Sequence, residues 1–357
     1  MPSRYKNRKV VVTGGLGFIG SNLALRLARL GARVTVIDSK VPGCGGNPYN
    51  LAPEPAVRVI EHDIGSNPAL EAELRGADTI FNLAGEISHI HSMQHPLRDA
   101  ALNGMAQLQF LEACARWAPG VRIVYASTRQ IYGIPQYLPV DELHPVRPVD
   151  FNGIHKYAAH EYHLLYTAMG RLDAAVLCLT NVYGPRVALN IPCQGFLANF
   201  LRRSLFHQPI RIFGDGHQLR DPIYVDDVVE AFLLAGAVDR LPSRVWNVGG
   251  PEPLSLAEIA EMMSAAADAP APVYRPFPPE IKRIDIGSYA SSWSRLHSDL
   301  GWRPQVLFAD GIRRTLEFYR NEFAHYLKPE DIDPSCPLEM AKPMSTAAAA
   351  RGSATAP

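Results

Sequence analysis

The segment Thr13-Gly14-Gly15-Leu16-Gly17-Phe18-Ile19-Gly20 stands between an apolar run, Val10 to Val12, and an amphipathic helical pattern from Ser21 to Leu30. Glycines at 14, 17 and 20 permit a tight turn, close approach of backbone to phosphate, and packing of the helix on its strand. The helix N-terminus adds free N–H donors and a partial positive charge. Phe18 and Ile19 carry that turn into the helix, and the chemistry is capture of a dinucleotide pyrophosphate. A second apolar run, Arg33 to Ile37, ends at Asp38. A carboxylate there accepts from both ribose hydroxyls and repels a 2′-phosphate, which selects NAD over NADP. A strand-turn-helix that merely packs well would explain the glycines alone, not the whole constellation.

The elements that must position these residues follow an alternating rhythm. Thr79 to Leu83, Arg122 to Ser127 and Ala174 to Leu179 read as strands, and Leu97 to Trp117 and Asn152 to Met169 as helices. Such alternation predicts an α/β fold of Rossmann type, a doubly wound parallel sheet. Beyond Pro185 the rhythm changes: a helix from Gly195 to Phe206, a strand from Ile210 to Phe213, a helix starting at Asp226 or Asp227, and a strand from Val245 to Val248. This divides the chain into an NAD-binding domain (1–182 and 221–248) and a smaller C-terminal substrate-binding region (183–220 and 249–330). The small-residue segment 331–357 reads as a flexible tail.

Bulk properties exclude several classes. The 357 residues include 35 basic and 35 acidic side chains with no basic block, so neither nucleic acid nor an anionic membrane surface is the expected partner. Five cysteines without CxxC spacing argue against a disulfide framework and a structural zinc site. His89 with His91, and His160 with His163, lack the partners of a metal site. No apolar run approaches a membrane span, and the N-terminal stretch leads straight into the first strand, so a cytoplasmic protein is expected.

In this order the motifs resemble those of the extended short-chain dehydrogenase/reductase family, specifically its nucleotide-sugar epimerases and dehydratases. The resemblance covers about residues 9 to 325. It rests on Thr13 to Gly20, His62-Asp63-Ile64, Asn82-Leu83-Ala84-Gly85, Ser127-Thr128 before Ile131-Tyr132-Gly133, Lys156, Asn181-Val182-Tyr183-Gly184-Pro185, and Arg220-Asp221 before Tyr224-Val225-Asp226-Asp227. It implies that Asp63, with Ile64 beside it, meets the adenine, and that Leu83, Ala84 and Gly85 line the cofactor. Asn181 and Arg220 are implied to hold the diphosphate of a nucleotide sugar, with Lys282 or Arg283 as a second phosphate contact. A homodimer is implied too, the helices Leu97 to Trp117 and Asn152 to Met169 pairing with their copies.

The family's reaction centre combines Ser or Thr, Tyr, and a Lys four residues after the Tyr. Residues i and i+4 share a helix face, so the cation lowers the phenol's pKa while it orients the nicotinamide ribose. Here the hydroxyl is Thr128 and the lysine Lys156, but the tyrosine position holds Asn152, and an amide is no general base. Replacements in reach are Glu86, His89, His91, His155, and Lys156 itself if desolvated. Tyr132 and Tyr183 read as structural or substrate-stacking residues, and Cys193 lies in the loop expected to cover the sugar.

These implications lead to an NAD-dependent nucleotide-sugar epimerase acting through a transient keto-sugar, of the UDP-hexose or UDP-hexuronate 4-epimerase type. Dehydratases of the family carry an Asp-Glu pair after the hydroxyl residue, where this chain has Arg129-Gln130, which places a dehydratase or decarboxylase second. An alternative of another class is a non-catalytic NAD-binding sensor, against which the presence of a diphosphate clamp speaks.

Overall fold

The structure is a computed structural model that describes residues 2–65, 70–191, 195–328 and 331. Its centre is a parallel sheet of seven strands: β1 (Lys9–Thr13), β2 (Arg33–Asp38), β3 (Arg58–Glu61), β4 (Thr79–Asn82), β5 (Arg122–Thr128), β6 (Asp173–Leu179) and β7 (Val245–Val248). The order across the sheet is β7-β6-β5-β4-β1-β2-β3. The strand order therefore reverses between β1 and β4, and in open α/β sheets the crevice at that reversal, outside the carboxyl ends of the strands, receives ligands. Val10, Val11 and Val12 are fully buried, as expected of β-branched residues in a strand covered on both faces.

Helix α1 (Phe18–Arg29) follows the glycine-rich turn, and α2 (His89–Gln94) follows β4. Next come α3 (Pro96–Ala100), a π-helical turn (Ala101–Met105) and α4 (Ala106–Trp117). The single helix expected from Leu97 to Trp117 is thus interrupted by one wide turn. Helix α5 (Phe151–Ala168) is capped by Asp150, whose carboxylate accepts the Gly153 N–H at 2.6 Å. The edge strand β3 gave no periodic signal because most of its residues are exposed.

A second apolar core lies beyond the sheet. It gathers α6 (Phe196–Leu205), α8 (Leu256–Ala267) and α9 (Phe308–Asn321) around Phe200, Ile259, Met263, Phe308 and Tyr319. Helix α7 (Val225–Ala237) instead packs on the sheet through Val228, Phe232 and Ala235. Leu296 and Trp302, from the stretch expected to be wholly substrate-binding, also join the sheet's core. The Asp227 carboxylate accepts the N–H groups of Gln305 and Val306, both at 3.0 Å, and so ties the returning chain to α7. Among the described residues no helix is long and apolar enough to cross a membrane. Cys193 and residues 332–357 lie outside the described residues.

Phe81 on the central strand β4 is fully buried, edge-on to Phe232 at 6.2 Å and beside Tyr5 at 6.3 Å. Phe81→Ala is expected to cost about 3–5 kcal/mol of unfolding free energy. Guanidinium denaturation followed by circular dichroism measures it; a loss below about 1 kcal/mol would show that this side chain does not anchor the sheet.

Candidate active site

A cavity of about 480 Å³ opens at the carboxyl ends of the strands and reaches the second core. Its floor is the glycine-rich turn. A Cβ on Gly14, whose φ is +65°, would lie 2.7 Å from the Leu83 carbonyl oxygen, and one on Gly20 would lie 2.3 Å from the Gly14 carbonyl oxygen. Neither position accommodates a side chain, so β1, β4 and α1 approach backbone to backbone. Gly17 caps α1 without a side-chain hydrogen bond, which leaves the first-turn N–H groups facing the cavity.

Asp38 lines the cavity at the end of β2, its two carboxylate oxygens held by the N–H groups of Leu16 (3.0 Å) and Lys40 (2.9 Å). Asp63 and Ile64 line the same end, Asp63 steadied by the Gly65 N–H at 2.8 Å. Phe18 and Ile19 border the floor, with Leu83, Ala84 and Gly85 opposite. A buried polar network fixes that strand end. Thr13 donates to Asn82 at 2.7 Å and accepts from the N–H groups of Leu83 and Ala84, while Gln107 joins Asn82 to the Ala84 carbonyl. His163 completes the network, kept neutral by burial, which pulls its pKa to about 3. A glycine cradle, an exposed helix N-terminus and a carboxylate lining the cavity at the end of β2 fit NAD.

The middle of the cavity holds Thr128, Asn152 and Lys156. Thr128 Oγ1 accepts the Gln130 N–H at 3.2 Å, so its own proton remains to be donated. Burial lowers Lys156 to about 8, against an opposing pull from Asp99, and its ammonium lies 5.3 Å from the Tyr125 ring centre. Asn152 is 1% exposed and its amide is spent: Nδ2 donates to the Glu86 carbonyl (2.9 Å) and to Asp99 Oδ2 (3.0 Å).

The candidate acids and bases part company here. Glu86 is buried, but its carboxylate turns to Cys44 (3.7 Å), His91 (3.6 Å) and Arg98 (3.6 Å) and is not among the cavity-lining groups. His155 gives its Nδ1 to Asp99 at 2.7 Å and does not line the cavity. His89 does line it, at the start of α2, with Nδ1 3.1 Å from Asp150 Oδ2, a charge contact without hydrogen-bond geometry among the described residues. Burial pushes the Asp150 carboxyl up, but His89, Gly153 and Gln130 outweigh that and hold it below its ordinary value. Ser92 links the pieces, donating to the His89 carbonyl and accepting the Asn152 N–H.

At the far end Asn181 and Arg220 line the cavity, and Asn181 Oδ1 is buried without a partner among the described residues. Arg220 donates to the carbonyls of Leu219 (2.7 Å) and Gly287 (2.5 Å). Lys282 and Arg283 do not join them. Both are exposed outside the cavity wall, Lys282 lying 4.8 Å from the Phe277 ring centre, while Ile281, Ile284 and Asp285 face inward. Sequence reasoning missed Arg129, which lines the cavity, and Asp99 and Asp150, which organise it. Asp150 directly before the helical pattern was the available signal, as a helix cap. Among the described residues no cluster could hold a metal ion, and Cys44, Cys114 and Cys178 are free thiols.

Comparison with known proteins places this geometry. The NAD dependent epimerase/dehydratase family matches residues 10–249. A UDP-glucose 4-epimerase of Mycolicibacterium smegmatis is 33% identical over 322 residues, 88% of this chain and 99% of that protein. A UDP-N-acetylglucosamine 4-epimerase from Methanobrevibacter ruminantium, solved in complex with UDP-N-acetylmuramic acid, shares the fold with TM-score 0.81 and 28% identity over 89% of this chain and 99% of that one. The Thermus thermophilus UDP-glucose 4-epimerase complexed with NAD gives TM-score 0.78 and 31% identity over 87% and 98% of the two chains. With its parallel sheet and glycine cradle, and with the family model matching residues 10–249, this chain belongs to the NAD dependent epimerase/dehydratase family.

Proposed function

We propose that the protein epimerises the sugar of a UDP-hexose or UDP-hexuronate at C4 by transient oxidation. What supports this reading is that one cavity is lined by the dinucleotide cradle at one end, by Asn181 and Arg220 at the other, and by Thr128 and Lys156 between them. A cofactor sensor has no use for the second end. The arginine in the first position after Thr128 disfavours a dehydratase, which needs carboxylates there to eliminate water.

Gly14, Gly17, Gly20 and Asp38 would hold NAD, which would supply a reversible hydride acceptor. The chain's own residues manage the proton. Thr128 donates its free O–H to the sugar oxygen, where negative charge grows as the proton leaves. His89 takes that proton at Nε2, because Nδ1 faces the Asp150 carboxylate, and gives it back when the hydride returns to the other face of the keto-sugar. Asn152 preserves the packing of α2 on α5 and leaves the acid–base work to α2. The Lys156 ammonium supports the nicotinamide ribose and the electrostatics around Thr128.

Exposed apolar side chains on α3, the π-helical turn and α5 support a homodimer. Leu97 (85% exposed) on α3, Met105 in the turn, and Ile154 and Leu165 on α5 project into solvent, and Ile154 and Leu165 lie three turns apart on one side of α5.

Incubation of the NAD-loaded protein with UDP-sugars, followed by proton NMR of the anomeric region, is expected to show the 4-epimer. His89→Gln is expected to slow it by about 10²–10⁴-fold; an undiminished rate would remove His89 from the reaction. Because Lys156 titrates near 8, below its ordinary value, its charge is present under that pH and lost above it. Wild-type kcat/KM is therefore expected to fall above about pH 8. A fall that persists in Lys156→Met would belong to another group. Light scattering at micromolar protein is expected to give twice the chain mass, and Ile154→Glu with Leu165→Glu the single mass; a wild-type monomer refutes the dimer.

A further inference from the structure

Arg129 opens the short helical turn Arg129–Tyr132 directly after Thr128. Its guanidinium lies 4.9 Å from the Tyr289 ring centre, and its Nη1 is buried with no hydrogen-bond partner among the described residues. The carboxylates that face it are engaged elsewhere. Asp221 accepts the Thr180 hydroxyl (2.5 Å) and the Ser291 N–H (2.8 Å), and Asp150 accepts from Gln130 and Gly153. Asp285 lies 3.6 Å from Arg220. These carboxylates temper the charge of Arg129 without satisfying its donors, and a buried guanidinium with idle N–H groups is costly unless an anion meets it.

The second cation makes the point sharper. Arg220 is held near 10, lowered by burial and then by the charge of Arg129, so the two arginines face one cavity and repel each other. Arg220 belongs with Asn181 at the diphosphate end. Arg129 is joined covalently to Thr128 at the reaction centre and reaches towards Arg220, which sets it alongside the sugar that links the two. A neutral hexose offers only hydroxyls there. A hexuronate offers a planar carboxylate, which a guanidinium grips with two parallel hydrogen bonds.

Resting on the nucleotide-sugar reading, we propose that Arg129 forms a carboxylate subsite, so that the substrate is a nucleoside-diphosphate hexuronate and not a neutral hexose. The same side chain excludes dehydratase chemistry from this position by holding a cation where that reaction needs acids.

Isothermal titration of the NAD-loaded full chain with UDP, UDP-glucose and UDP-glucuronate tests this. UDP-glucuronate is expected to bind about ten- to a hundredfold more tightly than UDP-glucose, and Arg129→Gln to bring it down to the UDP-glucose level. Equal wild-type affinities for the two sugars would overturn the proposal, and need no variant that might misfold. An equal loss for all three ligands in Arg129→Gln would put Arg129 on the diphosphate and overturn it as well. Failure of UDP itself to bind would overturn the nucleotide-sugar reading beneath it, an outcome distinct from binding without preference.

Discussion

A carboxylate almost without solvent contact organises the middle of this molecule. Asp99 is 1% exposed, and one of its oxygens accepts from Asn152 (3.0 Å) and Asn103 (3.1 Å) while the other faces His155 at 2.7 Å. Burying a charge is expensive unless donors surround it, and here they come from α3's own continuation and from α5. The same donors reach further: Asn103 and Asn152 both bind the Glu86 carbonyl, and Asn103 also accepts the Glu86 N–H. One buried carboxylate thus aligns the end of β4 with the helix that carries Lys156. The asparagine at 152 belongs to this arrangement. A phenol has one proton to give, whereas the amide serves both the carbonyl and the carboxylate.

Where chemistry depends on local spacing, the residues could be read directly. The glycines of the first turn, Asp38 at the end of β2 and the central strands follow from short-range sterics and hydrophobic pattern, and the parallel sheet follows from their alternation. What could not be read depends on contacts between distant segments. The Glu86 backbone is held by Asn103, seventeen positions later, and its carboxylate is drawn to Cys44, His91 and Arg98. Lys282 and Arg283 sit on a short helix whose apolar neighbours Ile281 and Ile284 take the inward places, so a charge count near a phosphate site misjudges which side faces in. Arg129 was legible as a missing acid but not as a buried cation, because its environment is assembled from Tyr289, Asp221 and Arg220.

The two cores divide the labour. The sheet's core is built from close-packed aliphatic and aromatic residues and holds the crevice at the β1/β4 reversal, while the second core shapes the far wall. They are stitched across the cavity mouth by α1: Asn22 donates to the Pro185 carbonyl at 3.0 Å, and Arg186 donates to Asn22 at 2.8 Å. The helix that follows the glycine-rich turn therefore also positions the loop after Tyr183, so the two ends of the cavity share one rigid support.

The wide turn at Ala101–Met105 carries a consequence for how this chain can change over time. An extra residue in that turn shifts everything before it by about 100° around the helix axis relative to an uninterrupted helix. It is this offset that lets Asn103 reach Glu86 and Asp99 while α4 still presents Phe110 and Leu111 to the sheet. Removing or adding one residue there would rotate one set of contacts away from the other. The segment can tolerate exchanges of side chain on its outer face, but its length is locked, and descendants of this sequence are free to vary in composition there long before they vary in residue number.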